Sequence, residues 1–199
     1  MTKRRTRAEQ VEQVRIDLLA AARREFLAAG YHGATLDRIA AAAGYTKGVV
    51  YSRFASKADL FLALLEERID ARAQQNRERA TGVSGPEGLA AHAGRWADLQ
   101  QADLPWSLLV LEFRVHATRD PELAGRYAAL HRRTLDGITE VLEGFVPTTS
   151  DGLAPREVAQ AIFAAGTGAT LEQAVDPSAL PHAVIARMVL GLVPAEVGR

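Results

Sequence analysis

Apolar residues recur every three or four positions along most of the chain, and no convincing alternation of apolar and polar residues appears. The first such stripe runs through residues 15–29, where Leu18, Leu19, Ala22 and Phe26 fall on one face of a helix. This period is that of amphipathic helices, so the pattern predicts an all-α fold. The expected helices number about nine: 15–29, 36–43, 47–54, a long helix opened by Ser56, 87–101, 105–118, 121–145, 155–175 and 182–193.

Residues with strong preferences for helix ends punctuate the first part of this pattern. Gly30 and Gly44 each follow a predicted helix, where a glycine can take the left-handed conformation that ends it. Thr35 and Thr46 precede the next two helices and are favourable N-caps, while Ser56 opens the fourth helix as part of a capping box. The sequence thus predicts three closely linked helices followed by a longer one.

Residues 35–54 read TLDRIAAAAGYTKGVVYSRF, which predicts two short helices joined by a tight turn. Ile39 and Ala43 on the first helix can meet two residues of the second, Val50 and Phe54, which share a face because they lie four positions apart. This is the pattern of a helix-turn-helix unit, in which the second helix enters the major groove of DNA.

The outer face of the second helix carries the side chains that such a unit would turn towards DNA. Lys47 is the best candidate for reading guanine, because O6 and N7 of that base both accept hydrogen bonds. Gly48 has no side chain, so the backbone could come close to a phosphate or a sugar. Thr35, Thr46 and Tyr51 are expected to donate to phosphates, which sets the register without reading sequence.

Further basic residues on both sides of this unit are predicted to contact the DNA backbone. Lys57 stands at the start of the fourth helix and should bind a phosphate. The first residues of the chain, 1–11, are expected to form a basic arm able to track the backbone or to enter a minor groove. The basic residues of this arm that we expect to contact DNA are Lys3, Arg4 and Arg5.

The charge distribution agrees with a DNA-binding N-terminus, although the net charge of the whole chain is zero. Residues 1–57 contain 11 Lys and Arg against 5 Asp and Glu, whereas residues 58–199 contain 13 against 19. A basic N-terminal quarter on an acidic remainder is the electrostatic pattern of a protein that binds a polyanion through its N-terminal part.

The sequence TLDRIAAAAGYTKGVVYSRFASKADLFLALLEE, which starts at Thr35, resembles the DNA-binding domain of the TetR family of bacterial repressors over about residues 12–72. Tyr45 departs from the family's pattern, which usually has a small aliphatic residue there. A tyrosine could pack against the domain core or touch the DNA backbone. The positions that match the family's pattern are Thr35, Ile39, Ala40, Ala43, Gly44, Thr46, Gly48, Val50, Tyr51, Phe54, Ser56, Lys57 and Leu60.

The resemblance implies a DNA-binding domain over residues 12–72 and a ligand-binding and dimerisation domain over residues 73–199. Within the second domain, residues 155–194 resemble the two helices through which the family dimerises. Small and apolar residues on the first of them would permit close packing across a two-fold axis, as an isologous interface requires. The predicted interface residues are Val158, Ile162, Ala165, Gly166 and Ala169.

A ligand cavity in this second domain should be mainly apolar, with a few placed polar groups. Glu112 and His116 lie four residues apart among apolar neighbours, and a carboxylate there would suit a cationic or hydroxyl-bearing ligand. The alternative is structural: Glu112 pairs with Arg114, Arg119 or His116, and the aromatic residues are plain core. The predicted cavity residues are Trp106, Leu109, Glu112, Phe113, His116, Tyr127, His131, Phe163, Thr167 and Thr170.

Several classes of site are not expected from this sequence. It shows no glycine-rich phosphate loop and no arginine cluster, so the predicted effector is a mainly apolar organic molecule. It has no cysteine, no metal-binding histidine spacing and no G-x-S-x-G turn, so we predict no metal, no cofactor and no catalysis. Without a secretory signal or a run of about 18 apolar residues, no membrane partner and a cytoplasmic location are expected.

Together these observations predict a dimeric transcription regulator, and first of all a repressor that binds a palindromic double-stranded DNA operator and is released by a small effector. Its two recognition helices would lie at the spacing of successive major grooves, about 34–36 Å. One alternative is an activator or a ligand-independent regulator with the same DNA-binding domain. Another is a helical small-molecule-binding protein or enzyme with a vestigial helix-turn-helix, since a fold does not by itself define a function.

Overall fold

The computed structural model describes residues 6–80, 102–145 and 154–191, together with Gly88, Ala91, Gly94 and Arg95. The secondary structure of these residues is helical, with no strand among them, as the periodicity predicts. Most of the predicted helix 87–101 lies outside the described residues. The helices that are described in full are α1 (Arg7–Gly33), α2 (Leu36–Ala43), α3 (Lys47–Tyr51), α4 (Lys57–Ala80), α5 (Leu104–Ala117), α6 (Pro121–Phe145), α7 (Pro155–Val175) and α8 (His182–Gly191).

The first helix begins at Arg7, eight residues before its predicted start. Thr6 is the N-cap: its hydroxyl accepts a hydrogen bond from the Glu9 amide at 3.2 Å, and the Glu9 carboxylate accepts one from the Thr6 amide at 2.7 Å. This capping box satisfies two of the unpaired N–H groups of the helix start. The predicted arm of residues 1–11 is therefore too long, because residues 7–11 are helical. Their side chains are exposed, so no apolar period marks them.

The last part of α1 bends at Gly30, which has a φ of 71°. The predicted helix end at residue 29 coincides with this bend, but one further helical turn, residues 31–33, follows it. The Ala34 amide closes the turn by donating to the Gly30 carbonyl at 3.2 Å. Gly44, with a φ of 76°, ends α2 in the left-handed conformation, as predicted.

The N-terminal domain, which consists of α1–α3 and the first turns of α4, packs around a fully buried apolar core. Ile39 and Val50 close the contact between the two helix-turn-helix elements, and Phe54 at the end of the unit is also buried. The ring of Phe26 on α1 meets that of Phe61 on α4 edge to face, with 5.2 Å between their centres. The side chains that are 0% exposed include Leu18, Ala21, Ala22, Phe26, Ile39, Val50, Leu60 and Phe61.

The helices that follow form a second part, which we call the C-terminal body: the second half of α4 together with α5–α8. There α4 packs along α6, while α5 contacts α1, α6 and α7. α7 packs on α6, and α8 packs on α7. α4 runs without a break through the predicted domain boundary at residue 72, so one helix belongs to both parts.

Ion pairs connect α6 with the outer side of α4. The guanidinium of Arg133 lies 2.5 Å from a carboxylate oxygen of Glu66 and 2.5 Å from one of Asp70. Arg126 lies 2.7 Å from Asp59 near the start of α4. Each exposed pair contributes little to stability, but together they favour one orientation of α6 along α4.

Candidate DNA-binding surface and ligand cavity

The helix-turn-helix unit exposes both of the threonines that the sequence assigns to phosphate contacts. The Thr35 hydroxyl accepts a hydrogen bond from the Arg38 amide at 3.2 Å and so caps α2, as predicted. Thr46 is the N-cap residue of α3, but its side chain makes no capping hydrogen bond. Both side chains are exposed and therefore accessible to a phosphate.

Lys47, Gly48 and Tyr51 form an exposed surface on α3. The Lys47 amine lies 2.8 Å from Oδ2 of Asp37 and 5.5 Å from the centre of the Tyr51 ring. The hydrogen bond that Lys47 donates to Asp37, together with the negative charge of Asp37, raises the pKa of Lys47, so the amine is protonated at neutral pH. Among the described residues, a Cβ built on Gly48 would meet Thr46 Oγ1 at 3.9 Å and no other atom within 4 Å. This backbone is open to close approach.

Tyr45 turns towards the domain rather than away from it. Its hydroxyl donates to Oδ2 of Asp17 at 2.7 Å, and its half-buried ring packs against the core. Gln13 donates to the other oxygen of the same carboxylate at 2.8 Å. Of the two roles that the sequence leaves open for Tyr45, this geometry favours packing against the core over contact with the DNA backbone.

Lys57 lies on the inside of the domain and not on its outer face. Burial lowers the pKa of its amine, and the carbonyl groups of a helix end are natural partners for a cation. The amine caps the end of α1 and fastens it to α4, which favours a structural role over the predicted phosphate contact. The amine donates to three backbone carbonyl oxygens, those of Tyr31 at 2.7 Å, Ala34 at 3.0 Å and His32 at 3.2 Å.

Glu112 faces the N-terminal domain and is not among the described residues that line the cavity. Its two carboxylate oxygens accept hydrogen bonds from the backbone amides of Tyr31, at 2.9 Å, and His32, at 3.1 Å. These amides begin the helical turn after the bend at Gly30, so the carboxylate acts as an N-cap supplied by α5. The predicted role as a cavity anchor is wrong, and the partners are backbone amides rather than the Arg114, Arg119 or His116 side chains considered as the alternative.

His116 is placed beside Glu112 on the same side of α5. Its ring centre lies 5.1 Å from that of His32 and 4.9 Å from that of Tyr31, both on α1. Burial lowers the pKa of His116, and the positive charges of His32 and Lys57 lower it further. Like Glu112, His116 belongs to the junction with α1 and not to the cavity wall.

The other two predicted residues that the cavity excludes are part of the core. Leu109 and Phe113 are buried, and Phe113 stacks on Phe61 with 4.3 Å between the ring centres. Phe113 therefore ties α5 to the N-terminal domain. The structure thus separates the predicted cavity set into two groups on different faces of the same helix.

A cavity of about 240 Å³ lies between α4, α5, α6 and α7 in the C-terminal body. Apolar side chains of α4, among them Leu65 and Ile69, form part of its wall together with Val110 and Ile138. The cavity is thus mainly apolar on one side, as a small-ligand site would be. Six of the predicted residues line it: Trp106, Tyr127, His131, Phe163, Thr167 and Thr170.

The polar groups among those six residues differ in their free hydrogen-bonding capacity. Thr167 donates to the Phe163 carbonyl and Thr170 to the Gly166 carbonyl, both at 2.9 Å, so each hydroxyl can still accept. Nδ1 of His131 is buried and has no hydrogen-bond partner within the described part of the chain. Burial lowers the pKa of His131, and nearby arginines lower it further, which favours the neutral ring.

A group of arginines that was not predicted from the sequence lies on the cavity wall. Arg68 and Arg72 on α4 both pair with Asp103, the second at 3.6 Å, and the guanidinium of Arg68 lies 5.0 Å from the Trp106 ring. Arg79 and Arg95 line the same cavity. The expectation that no arginine cluster exists was wrong. The spacing of residues 68, 72 and 79 on one helix, beside apolar residues 65 and 69, is the signal that could have revealed it.

The predicted dimer face is buried inside the protomer. Val158, Ile162 and Ala169 are at most 5% exposed, Gly166 is buried and Ala165 is half-buried. Residues buried in this way have little surface left for a partner, which disfavours the predicted assignment for all of them except the half-buried Ala165. The opposite side of the two helices is exposed and carries Ala164, Gly168, Leu171, Val175, Val184 and Met188. α7 has small or apolar residues on both sides, which is why the periodicity did not separate them.

Three further predictions concern the basic arm, a membrane span and a metal site, and the structure bears on them only within its described residues. The arm residues Lys3, Arg4 and Arg5 lie outside them. No helix in residues 6–80, 102–145 or 154–191 has an apolar stretch long enough to cross a membrane. The same residues contain no group of three metal-ligating side chains.

An exposed helix-turn-helix joined to a helical body that encloses a cavity defines a regulator with separate sites for DNA and for a ligand. Residues 18–64 match the family described as bacterial regulatory proteins, tetR family, and residues 86–197 match the C-terminal family of BetI-type transcriptional repressors. The second match covers more than half of the chain. This chain therefore belongs to the TetR family of transcriptional regulators, as the sequence predicted.

The chain is similar to regulators of both signs. It is 44% identical over 59 residues to the transcriptional activator FasR of Mycolicibacterium smegmatis. The aligned stretch is 30% of this chain and 27% of that protein. It is 30% identical over 128 residues to the transcriptional repressor AcnR of Corynebacterium efficiens. This alignment covers 64% of this chain and 62% of that protein. The chain thus spans less than two thirds of the length of either relative.

Solved structures of the same architecture include the transcriptional regulator FadR from Bacillus subtilis in complex with stearoyl-CoA. The match has a TM-score of 0.70, with 21% sequence identity, and covers 89% of this chain and 97% of that one. At this identity the likeness concerns the fold alone.

Proposed function

We propose that this chain is a dimeric transcription repressor that leaves its operator when a small organic ligand occupies the cavity of the C-terminal body. The observation that carries this proposal is the position of α5. One side of the helix lines the cavity with Trp106 and Val110, and another side holds the N-terminal domain through Glu112 and Phe113. A ligand that displaces α5 would therefore act on the DNA-binding domain directly.

On the DNA side, the proposed contacts are the exposed residues of the helix-turn-helix unit. Lys47 would leave Asp37 to reach a guanine in the major groove, and this exchange is open to it because both side chains are more than half exposed. Thr35, Thr46 and Tyr51 would bind phosphates, while the open backbone at Gly48 would allow α3 to approach closely. Tyr45 and Lys57 are no longer part of the proposed surface.

The proposed two-fold interface is the exposed side of α7 and α8. Leu171 is 51% exposed, Val175 is 89% exposed, and Val184 and Met188 on α8 are more than 40% exposed. Together with Ala164 and Gly168 these side chains would form an apolar patch of the kind that marks a protein interface. Membership of the TetR family and the spacing of the patch along two adjacent helices support this surface over the buried one.

The dimer proposal is tested by placing charge on this patch. Leu171→Glu combined with Val175→Glu would bring four carboxylates together across the two-fold axis, and we expect dissociation to monomers in sedimentation at micromolar concentration. Val115→Glu is the matched control, because Val115 is 60% exposed on α5, outside the patch. If the double variant sediments like wild type, the dimer forms through another surface.

The proposed coupling between the two sites runs through the turn after Gly30. Glu112 on α5 holds the amide end of this turn and Lys57 on α4 holds its carbonyl end. A movement of α5 or of α4 would therefore change the orientation of α1 relative to the helix-turn-helix. A ligand can drive the change only if it prefers one arrangement, and coupling energies of about 1–3 kcal/mol are usual.

A repressor is proposed rather than an activator because the match to BetI-type repressors covers residues 86–197, which include α5–α8, whereas the likeness to the activator FasR covers 59 residues. We propose no enzymatic activity, in keeping with a family of regulators. Because such a protein acts where the chromosome lies, we place it in the cytoplasm.

The proposed function is tested by selecting binding sites from a random pool of double-stranded DNA. We expect a palindromic sequence with half-site centres about one helical turn apart, 10–10.5 base pairs, and fluorescence anisotropy should show its release by a cavity ligand. Failure to enrich any sequence, with a folded wild-type protein, would count against DNA-binding regulation. Enrichment without release by any cavity ligand would leave a ligand-independent regulator.

A further inference from the structure

We propose that the effector is an amphiphile with an anionic group: its apolar chain lies along α4 and α5 in the cavity, and its carboxylate or phosphate binds Arg68 and Arg72. This inference rests on the proposed function, in that it names the class of ligand for the same cavity. It replaces the mainly apolar effector predicted from the sequence.

The part of the cavity wall that α4 forms is divided between apolar and basic side chains. Leu65, Ile69 and Ala73 follow each other at four-residue spacing and present an apolar line to the cavity. Arg68 and Arg72 have the same spacing one position earlier along the helix and form a parallel basic line. An elongated ligand that lies along α4 would thus meet apolar side chains and guanidinium groups at the same time.

Positive charge predominates on the cavity wall. Of the described residues that line the cavity, six are arginines and one, Asp103, is an acid. Asp103 faces both Arg68 and Arg72, so one carboxylate is shared between two guanidinium groups. Arg133 is held from outside by Glu66 and Asp70. A second anion beside Asp103 would therefore find excess positive charge in a half-buried site, where its electrostatic attraction is stronger than in water.

Burial and the neighbouring positive charges both act on the two arginines. Burial, followed by repulsion from Arg72 and Arg23, lowers the pKa of Arg68 to about 10. Burial and repulsion from Arg79 also lower the pKa of Arg72. A bound anion would relieve both effects, because it pairs with the charged form of each side chain.

Arg68 is already held in position by its contacts with Trp106 and Asp103. Its guanidinium lies 5.0 Å from the Trp106 ring, within the range of a cation–π contact, and its side chain is 28% exposed. A guanidinium held in one orientation loses less entropy when it binds a carboxylate or phosphate in a bidentate manner. Glu112, the carboxylate that would have favoured a cationic ligand, lies on the other side of α5.

A second cavity of about 220 Å³ adjoins the first and shares Arg68, Arg72 and Asp103 with it. Its wall also includes Arg23 on α1 and Gln75 on α4. The anionic group would therefore stand where the two cavities meet. A free acid would end at this point, whereas a bulky phosphorylated carrier joined to the chain would continue towards Arg23.

The experiment compares ligands with the same ten-carbon chain in isothermal titration calorimetry, below micelle-forming concentrations: decanoate, decanoyl-coenzyme A, decanol and decyltrimethylammonium. We expect at least one of the two anionic ligands to bind about tenfold or more tightly than decanol, and the cation to bind most weakly. Selective binding of decanoate identifies the free acid as the class. Selective binding of the thioester, weakened by Arg23→Gln, identifies the phosphorylated carrier.

Charge variants then locate the anionic group. Arg68→Gln and Arg72→Gln should each remove most of the preference for the anion while decanol binding persists, which also shows that the variants are folded. Asp103→Asn should tighten anion binding several-fold. Arg77→Gln is the matched control, because Arg77 lies on the same helix but pairs with Glu140 outside the cavity. It should leave the preference unchanged.

The outcomes separate this inference from the proposed function. If wild-type protein binds decanol or the cation as tightly as both anions, the inference is wrong, even where such a ligand releases the operator. If an anion binds with the stated preference but does not release the operator, the proposed class of ligand is correct and its proposed role as effector is wrong.

Discussion

Where the N-terminal domain meets α5, the rings of Phe26 and Phe113 both pack against Phe61 without exposure, whereas elsewhere in the C-terminal body Arg68 and His131 border a cavity. The first arrangement has one close-packed solution and resists displacement. The second leaves space and polar groups that a ligand can fill. This difference fits the proposed mechanism, in which the DNA-binding domain would move as a rigid unit when a ligand binds in the cavity.

The largest expected effect concerns the close-packed rings. Phe61→Ala should lower the free energy of unfolding by about 3–5 kcal/mol, because a fully buried phenyl ring leaves a void among its neighbours. Phe163→Ala in the cavity wall should cost only about 1 kcal/mol, because this half-buried ring already borders empty space. Urea unfolding measures both. Equal losses would show that the body is packed as tightly as the domain.

The next effect separates the DNA surface from the rest of the chain. Lys47→Ala should weaken operator binding by about 1–3 kcal/mol and relax the preference at one base of each half-site. Arg77→Ala removes a positive charge from the C-terminal body and should change neither the affinity for the operator nor the base preference. Anisotropy titrations against the selected operator and its single-base variants provide the measurement. An unchanged preference in the first variant would remove Lys47 from the recognition surface.

A smaller effect distinguishes the two roles considered for Lys57. Lys57→Met leaves the end of α1 without its cation, so the free energy of unfolding should fall by about 1–2 kcal/mol. The dependence of operator binding on salt should keep its slope. A slope reduced by about one, together with unchanged stability, would instead identify Lys57 as a phosphate ligand.

The smallest effect is a dependence on pH. The pKa of His116 at the junction and that of His131 in the cavity are both below the ordinary 6.5 in the folded protein. The unfolded chain therefore takes up protons first as the pH falls, so this part of the stability is present above the ordinary pKa and is lost as the pH falls through the lowered values. His116→Gln and His131→Gln should each flatten the fall in unfolding free energy below neutral pH. A steeper fall in either variant would show that folding raises the pKa of that histidine and does not lower it.

Most of the helix-turn-helix could be predicted because its determinants lie close together in the sequence, although α3 ends at Tyr51, three residues before its predicted end, and Thr46 makes no capping hydrogen bond. Thr35 caps the helix that follows it, Gly44 supplies a left-handed turn, and Val50 faces Ile39 eleven positions away. Each of these relations is fixed by the backbone geometry of one or two turns. They leave little room for an alternative arrangement.

The junction and the cavity depend on contacts between distant parts of the chain, which no local pattern encodes. Glu112 is 81 residues from Tyr31, whose amide it binds. Arg68 and Arg72 look in sequence like the solvated side of a long helix, until Asp103 and Trp106 are placed beside them. On α7 both sides are apolar, so periodicity alone could not distinguish the side that is buried within the protomer from the side that is exposed.

The bend at Gly30 also restricts which mutations this protein can accumulate. A Cβ at this position would lie 3.0 Å from Oε2 of Glu112, and the φ of 71° is one that other residues rarely adopt. In a random-mutagenesis screen for repressors that still bind operator, replacements at Gly30 should be rare. Those that survive should be accompanied by a second substitution at Glu112, so that two codons 82 positions apart vary as one unit.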